Sequence, residues 1–353
     1  MKLLFLTKYD EEGPSSRYRS YNYKKFFIKE SIECEYNPLF YKGYVTDLYE
    51  GKKTKKLKIL YCYFQRMLYV LKNKNKYDHL IIEKELFPYV PYFLEKIILS
   101  KASYSLDFDD NPKDKYTKGI FSIIFNNKIE NLCKRAKFVT VGNHWYFEEF
   151  KDNKNFYYLP TVIDLDKYTI KDYSENDKKI KIIWIGSPSN LKNLFLIENA
   201  LKNLTKKYLI KLVVIGGKVN IEGVDCEEIK WQEKTEVEEL KKGDIGIMPL
   251  NNGYWEKGKC GFKLIQYMGV GLPVVASNIS ANKEIVENGK NGFLATNEIE
   301  WEKKLEQLII NKEKRIEFGK NGRKKIEKLY SYQVNYKKYL ERLSKIDKAV
   351  IKI

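Results

Sequence analysis

The residues best suited to chemistry form a short loop and helix start, GKCGFKLIQ, at positions 258–266. Ile245–Leu250 before them is an apolar run typical of a buried strand in a parallel sheet. Apolar residues at helical spacing begin at Phe262, and Lys263 places a positive charge in the first turn. Open α/β sheets bind anions at such a strand end, because the helix dipole and backbone N–H groups favour negative charge there. The pattern predicts an anion site; the alternative is an ordinary crossover with solvated lysines.

Short apolar runs and helical patterns alternate along the chain, which predicts an α/β fold with two Rossmann-like halves. At 353 residues the chain is long enough for two domains of ordinary size. The first half is predicted to span 1–163 and the second 181–329, with a polar linker at 164–180. A last helix is predicted at 330–353.

Two stretches of the second half carry a resemblance to a known family. GFKLIQYMGVGLPVVAS begins at Gly261, and NKEIVENGKNGFLA begins at Asn282. They resemble the donor-site signature of the family 4 glycosyltransferases, which have the GT-B fold and belong to glycosyl transferases group 1. The resemblance implies two Rossmann-like domains facing a central cleft, with the acceptor bound in the first and a nucleotide sugar in the second. The last helix would cross back to the first domain. It also implies transfer from a nucleoside diphosphate sugar with retention of configuration, without a metal or other cofactor.

The resemblance also assigns residues to the donor. Lys263 and Ser187 would stabilise the negative charge that develops on the leaving diphosphate, which is the usual role of preorganised donors in a transition state. Family members often carry an arginine after the glycine that corresponds to Gly186, so Ser187 departs from the pattern, and Lys192 would make a second diphosphate contact. The donor-binding positions implied are Gly186, Ser187, Lys192, Trp231, Lys259, Gly261, Phe262, Lys263, Leu264 and Gln266.

Two glutamates that family members usually carry, eight positions apart, are replaced here by Gly258 and Gln266. Gln266 can still hydrogen-bond ribose hydroxyls, and the contact to the donor sugar is then expected from Lys259. The replacements leave open a non-catalytic subunit that binds a sugar nucleotide. A GT-B epimerase is a second alternative, but it would normally use histidine and carboxylates, and the chain has only two histidines, His79 and His144.

Polar residues at strand ends of the first half are the candidates for the acceptor. They are Ser15, Ser16 and Arg17 in the loop GPSSR, Asp107 and Asp109 in DFDDNP, and Asn143 and His144 after a further strand. Asp107 is expected to position the acceptor and is grouped with the catalytic residues. The alternatives are a flexible surface loop at GPSSR, helix capping or a divalent metal at the acidic motif, and a structural histidine at 144.

The formal net charge of +18 calls for an anionic partner: nucleic acid, an anionic membrane face or a phosphorylated small molecule. No helix-turn-helix or aromatic RNA-binding motif is present, so nucleic acid is not expected. The segment 51–76 holds nine Lys or Arg residues and no acid, with apolar residues at helical spacing. It is interpreted as a helix that packs its apolar face into the core, or that also docks on anionic lipid.

The remaining features concern the cellular setting. Five scattered cysteines without metal-ligand spacing indicate reduced thiols in the cytoplasm. Met1–Leu6 is interpreted as a first strand and not as a signal peptide, and no apolar run approaches the roughly 20 residues needed to span a bilayer. Together with the basic charge, this predicts a cytoplasmic protein, peripheral on the inner face of the plasma membrane, acting on glycan or lipid-linked acceptors in cell-envelope polysaccharide synthesis.

Overall fold

The computed structural model describes residues 1–174 and 178–346, which form two α/β units, each built on a parallel sheet of six strands. The first unit comprises Met1–Thr161, Gly258–Cys260 and the chain from Asn335, and the second comprises Val162–Lys257 and Gly261–Val334. The predicted α/β class is therefore confirmed in both halves.

In the first unit the strand order is β2-β1-β3-β4-β5-β6. All five residues of both β3 and β4 are buried, as expected for central strands covered by helices on both faces. The strands are β1 (Lys2–Leu6), β2 (Glu33–Tyr36), β3 (His79–Glu83), β4 (Tyr104–Phe108), β5 (Val139–Val141) and β6 (Phe156–Tyr158). The helices are α1 (Pro14–Arg19), α2 (Lys24–Lys29), α3 (Tyr44–Tyr49), α4 (Lys56–Asn73), α5 (Tyr92–Ile98), α6 (Ile120–Ile124), α7 (Lys128–Arg135) and α8 (Trp145–Glu149).

In the second unit the order is β12-β11-β10-β7-β8-β9. The strands are β7 (Ile180–Ile185), β8 (Ile210–Ile215), β9 (Cys226–Ile229), β10 (Ile245–Met248), β11 (Val274–Ser277) and β12 (Gly292–Ala295). The helices are α9 (Glu198–Thr205), α10 (Glu236–Lys241), α11 (Tyr254–Lys257), α12 (Phe262–Gly269), α13 (Ser280–Ile285), α14 (Glu298–Ile310), α15 (Lys312–Leu329) and α16 (Tyr332–Ser344), whose end belongs to the first unit. β12 has no counterpart in the sequence prediction.

The predicted linker is wrong for the residues that the structure describes. Tyr168 is fully buried in the core of the second unit, and the Lys171 backbone N–H donates to the Val270 carbonyl. The boundary falls at Thr161, a little before the predicted one, because this polar segment packs onto the second sheet's helices instead of crossing open solvent. Residues 175–177 lie outside the described part.

The last helix is shorter than predicted and divides between the units. Helix α16 ends at Ser344, and residues 347–353 lie outside the described part. From Asn335 onward it belongs to the first unit, where the Tyr339 ring packs edge-on against Tyr23 at 5.3 Å and Phe27 at 5.4 Å. These aromatic contacts bury Tyr339 almost completely.

Within the described ranges 1–174 and 178–346, no helix is long and apolar enough to cross a bilayer.

Candidate functional site

The second sheet has its topological switch point between β7 and β10. These strands are neighbours, and the chain continues outward from β7 through β8 to β9, but from β10 in the opposite direction to β12. The two connections therefore diverge at the carboxyl ends of β7 and β10, which is where open α/β sheets form their ligand crevice. Gly186 follows β7 at this edge, and α12 follows β10.

Lys263 lies directly beside Gly186 in this crevice. A Cβ atom added at Gly186 would stand 2.9 Å from the Lys263 Cε and 2.7 Å from the Trp184 ring, so only glycine leaves room for the lysine side chain. The Lys263 ammonium is 5.3 Å from the centroid of a Trp184 ring. The prediction that Gly186 and Lys263 share one site agrees with this geometry.

Gly261 sets the start of α12. It is the N-cap residue with φ of 69°, and a Cβ atom there would meet the Ile285 side chain at 2.3 Å. Both facts require glycine, because other residues rarely adopt this conformation. The helix that follows presents Phe262 half-buried, whereas Leu264 is fully buried. The Leu264 side chain is core and its N–H donates to the Gly261 carbonyl at 3.0 Å, so its predicted donor contact would need that N–H to be shared.

A buried carboxylate, Glu236, joins the residues predicted to bind the nucleoside. Its Oε1 accepts from the Gln266 amide at 2.9 Å and from the Tyr168 hydroxyl at 2.6 Å, and its Oε2 accepts from the Trp231 indole N–H at 2.6 Å. Sequence reasoning missed Glu236 and Tyr168. An acid at the start of α10, just after the Trp231 loop, was the available signal for the first, and none marked Tyr168.

Gly216, at the end of β8, brings Trp231 to the same edge. Its φ is 93°, and an added Cβ would stand 2.4 Å from the Gly186 carbonyl oxygen and 3.4 Å from the Trp231 Cβ. Only glycine permits the strand ends to approach this closely. Trp231 and Gln266, linked through Glu236, therefore lie on the sheet edge that also carries Gly186 and Lys263.

Ser187 and Lys192 occupy the 3₁₀ segment that follows β7. The Ser187 hydroxyl accepts from the Asn190 amide at 2.8 Å and lies 3.0 Å from the Ser189 hydroxyl. Lys192 is exposed on the same segment, Pro188–Ile197. Both remain predicted diphosphate contacts.

A cavity of about 320 Å³ extends along the carboxyl ends of β10, β11 and β12. Its wall includes Asn251, Ser277, Asn297 and Trp301. The sequence prediction assigned no site residue to this region, which became visible only when the strand order was known.

Lys259, predicted to contact the donor sugar, lies in a short segment that groups with the first unit, and that contact stays a prediction. Gly258–Cys260 belong to the first unit, where the Asn143 amide donates to the Lys259 carbonyl at 2.6 Å and the Tyr146 hydroxyl donates to the Gly258 carbonyl at 3.0 Å. Burial opposes ionisation of Asp110, but Lys84 and then Lys259 hold its pKa below the ordinary value. The predicted acceptor residue Asn143 is therefore occupied in holding this loop.

Position 258 has no room for the glutamate of the resembling family. A Cβ atom there would stand 2.6 Å from the Asn111 Cβ and 2.8 Å from the Asn111 backbone nitrogen. Because Asn111 is buried, neither group can move freely.

Restoring that glutamate is therefore expected to damage the protein. Overpacking of this kind costs about 1–3 kcal/mol, so Gly258→Glu should lower the melting temperature by several degrees, measured by differential scanning fluorimetry. Asn252→Glu, at an exposed position just before α11, is the control and should melt like the parent. A Gly258→Glu variant with unchanged melting would contradict the close contact with Asn111.

The segment GPSSR was predicted to be a loop. In the structure, Gly13 caps helix α1 and the other four residues form its start. The hydroxyls of Ser15 and Ser16 donate to the two oxygens of Glu83 at 2.7 and 2.6 Å. The Arg17 guanidinium donates to the carbonyls of Glu11 and Glu12. These contacts fix the start of α1 to the end of β3. The two serine hydroxyls, which were predicted to bind the acceptor, point to Glu83 in the structure.

Asp107, predicted to be catalytic, forms a buried ion pair with Arg19. Arg19 binds both carboxylate oxygens, at 2.6 and 2.5 Å, and the Thr140 hydroxyl also donates to Asp107. Burial opposes the charge of Arg19, but Asp107 raises its pKa above the ordinary value. Asp107 thus neutralises Arg19, whose N–H also donates to the Leu159 carbonyl at 2.8 Å.

The other candidate acceptor residues lie near the carboxyl ends of β4 and β5. The Lys84 ammonium is 2.9 Å from Asp109 and 3.3 Å from Asp110, and burial raises the pKa of Asp109 to about 6. The exposed His144 ring stacks on Tyr158 at 4.2 Å between centroids. Across residues 1–174 and 178–346, no group of three or more His, Cys, Asp or Glu could hold a metal ion.

Comparison with known proteins now adds to this geometry. Residues 167–325 match the family model for glycosyl transferases group 1. The match covers a little under half of the chain. The matched range contains Gly186, Trp231, Lys263 and Gln266, which the fold brings together at one edge of the second sheet.

Two curated relatives and one solved structure illustrate the similarity. The chain is 33% identical over 69 residues to spore coat protein SA of Bacillus subtilis, covering 19% of this chain and 18% of that protein. It is 24% identical to the capsular polysaccharide biosynthesis glycosyltransferase CapM of Staphylococcus aureus, covering 70% of this chain and 62% of CapM. The crystal structure of Anabaena Alr3699/HepE in complex with UDP and glucose superimposes with a TM-score of 0.68 at 15% identity, covering 98% of this chain and 99% of that one.

These comparisons show that the second unit is similar to the group 1 family, and they give the fold of the chain. Its matches span less than two thirds of both curated relatives. Structural neighbours of this kind are GT-B glycosyltransferases, so the predicted GT-B class is confirmed.

Proposed function

We propose that the chain is a retaining glycosyltransferase of family 4, which transfers a sugar from a nucleoside diphosphate sugar to a glycan or lipid-linked acceptor. The observation that carries the proposal is the ammonium of Lys263 beside Gly186 at the switch point of the second sheet. The names of two similar proteins support it: CapM is a capsular polysaccharide biosynthesis glycosyltransferase, and HepE was crystallised with UDP and glucose. Because CapM is named for capsular polysaccharide biosynthesis, we propose that the reaction belongs to cell-envelope polysaccharide synthesis.

In the proposed reaction, the bond between the anomeric carbon of the sugar and the diphosphate breaks, a bond from that carbon to the acceptor oxygen forms, and the proton of the acceptor hydroxyl passes to the departing diphosphate. Negative charge then grows on the leaving diphosphate. We assign the stabilisation of that charge to the Lys263 ammonium, the positive end of the α12 dipole and the Ser187 hydroxyl. Preorganised donors of this kind act without further rearrangement, which is why they are effective in a transition state.

The nucleoside is proposed to bind against Trp231 and Gln266. Glu236 touches both side chains and so holds the indole and the amide in one orientation. Glu236 is a positioning residue in this scheme, since both of its oxygens are already occupied by protein donors. The first unit is proposed to bind the acceptor, with His144 and Asp109 as the remaining candidates.

No metal is proposed for the reaction, and nucleic acid is not proposed as a partner. The two carboxylates that follow β4, Asp109 and Asp110, are paired with the Lys84 ammonium, which already supplies a positive charge there. The proposed setting is the cytoplasm, in keeping with five cysteines that are all free thiols.

A non-catalytic sugar-nucleotide-binding subunit is the second candidate. The observation that favours it is the glycine at 258, which cannot supply the carboxylate found in the resembling family and has no room for one. This candidate predicts nucleotide binding without turnover, so binding and turnover must be measured on the same protein.

A thermal-shift screen over UDP, GDP, ADP, CMP and dTDP tests the proposal. A ligand at 100 times its Kd stabilises the native state by about 2.7 kcal/mol, so one diphosphate should raise the melting temperature by several degrees. CMP, with a single phosphate, is the built-in control and should act weakly. The matching nucleotide sugar should then be turned over. Binding without turnover would favour the non-catalytic subunit, and the absence of any shift would contradict both candidates.

A further inference from the structure

An exposed apolar surface lies on helices of the first unit. On α4 the helical stripe that the sequence assigned mainly to the core is largely in solvent, and Leu57 is 80% exposed. The core is instead contacted by the opposite side of the helix, where Cys62, Arg66 and Val70 are buried. The exposed apolar side chains of α4 are Leu57, Leu60, Tyr61, Phe64, Leu68 and Leu71.

The surface continues onto helices α5 and α6. Exposed apolar residues there are Phe93, Leu94, Ile97, Ile120, Ile123 and Ile124, of which Ile123 is 79% exposed. The segment just before α5 contacts both α4 and α6.

The Tyr63 hydroxyl of α4 donates to the Pro88 carbonyl at 3.0 Å, and the neighbouring Tyr89 ring lies 5.4 Å from the Phe121 ring of α6. We call the exposed residues of these three helices the apolar face. Exposed apolar side chains clustered on neighbouring helices mark an interaction site.

The exposed charged side chains on the three helices of the apolar face are all basic. The segment 51–76 carries nine basic residues and no acid, and α6 carries no acid. The only acid of α5, Glu95, is completely buried and lies 2.8 Å from the Lys128 ammonium. Lysines 53, 55 and 56, at the start of α4, are exposed beside Leu57 and Leu60.

We propose that the apolar face docks on an anionic lipid bilayer. The apolar side chains would enter the boundary between headgroups and acyl chains, while the lysines at the start of α4 contact lipid phosphates. Charge complementarity selects this occupant, because a second copy of the chain would bring the same uncompensated lysines against each other. The inference does not depend on the proposed enzymatic function, since membrane binding can be measured without donor or acceptor.

The charge contribution is tested by co-sedimentation of the full chain with vesicles of phosphatidylcholine alone or mixed with phosphatidylglycerol. Binding is expected only to the mixed vesicles and should weaken as salt screens the charges. Replacing Lys53, Lys55 and Lys56 by glutamine should weaken binding roughly fivefold per lysine, on the order of 100-fold in total. The matched control removes the same charge from exposed positions of α15 (Lys320→Gln, Lys324→Gln, Lys328→Gln) and should change binding only a few-fold.

The apolar contribution is tested with Leu57→Gln, Leu60→Gln and Phe64→Gln combined. This variant should bind the mixed vesicles at least tenfold more weakly and melt like the parent, because the replaced side chains are more than half exposed. The control is Leu209→Gln, Ile299→Gln and Ile310→Gln, three exposed apolar positions of the second unit.

Three results would overturn the proposal. They are equal binding to neutral and anionic vesicles, equal loss from the α15 control, and a change of oligomeric state in the apolar variant with vesicle binding unchanged. The last result would assign the apolar face to a protein partner.

Discussion

Replacing Lys263 by alanine is expected to lower kcat/KM by about 100- to 1,000-fold, the usual effect of removing one preorganised donor to a developing anion. The lysine is the charged group closest to Gly186 at the switch point, so no neighbour replaces it directly. Turnover is followed as release of nucleoside diphosphate with the donor found by the thermal-shift screen. Lys263→Arg should recover only part of the rate, because the planar guanidinium is larger than an ammonium and differently shaped.

The fold should tolerate the loss of Lys263. Its cation–π contact with Trp184 is worth about 0.5–1 kcal/mol, well below the roughly 3–4 kcal/mol expected in the transition state. The melting temperature should therefore fall by only a few degrees. Lys283→Ala, at an exposed position of α13, is the matched control and should keep near-normal turnover. Near-normal rates in Lys263→Ala would remove this residue from the mechanism.

The largest loss of stability is expected from Asp107→Ala. It leaves the buried guanidinium of Arg19 without its bidentate partner, and an uncompensated charge of this kind costs about 3–5 kcal/mol. The melting temperature of the full chain should fall on the order of 10 °C, as measured by scanning calorimetry. The double variant Arg19→Met with Asp107→Leu should be more stable than Asp107→Ala, because no charge is then buried.

An exposed ion pair supplies the comparison. Lys179 and Asp225 are 2.8 Å apart, and both side chains are more than two fifths exposed. Asp225→Ala should cost under about 1 kcal/mol, as surface pairs do. If Asp107→Ala melted like Asp225→Ala, the Arg19 pair would be solvated and the buried network described above would be wrong.

Local sequence patterns predicted much of the architecture. The apolar run Ile245–Leu250 was predicted to be a strand, and the structure has β10 at Ile245–Met248. The helix that begins after Gly261 was also predicted, because apolar spacing, glycine and proline act over a few neighbouring residues. Lys263 and Gly186 were assigned to one site through the family resemblance, and the structure places them in contact range.

Side-chain partners far apart in the chain could not be predicted this way. Asp107 and Arg19 are 88 positions apart, and Gln266 and Tyr168 are 98 apart, so no local pattern links them. Asp107 was assigned a catalytic role because its type and its place at a strand end suit chemistry. The structure shows that Asp107 lies beside the buried Arg19, whose positive charge is neutralised by the Asp107 carboxylate.

The sequence by itself determined the two α/β halves, the strand ends that carry polar residues and the lysine at the start of α12. Only the tertiary structure decided the strand order that makes β7 and β10 neighbours, the carboxylate of Glu236 between Trp231 and Gln266, and the exposure of the α4 stripe. The physical reason is that periodicity states which residues share a face of an element. Whether that face is covered, and by which distant side chain, depends on how the elements pack together.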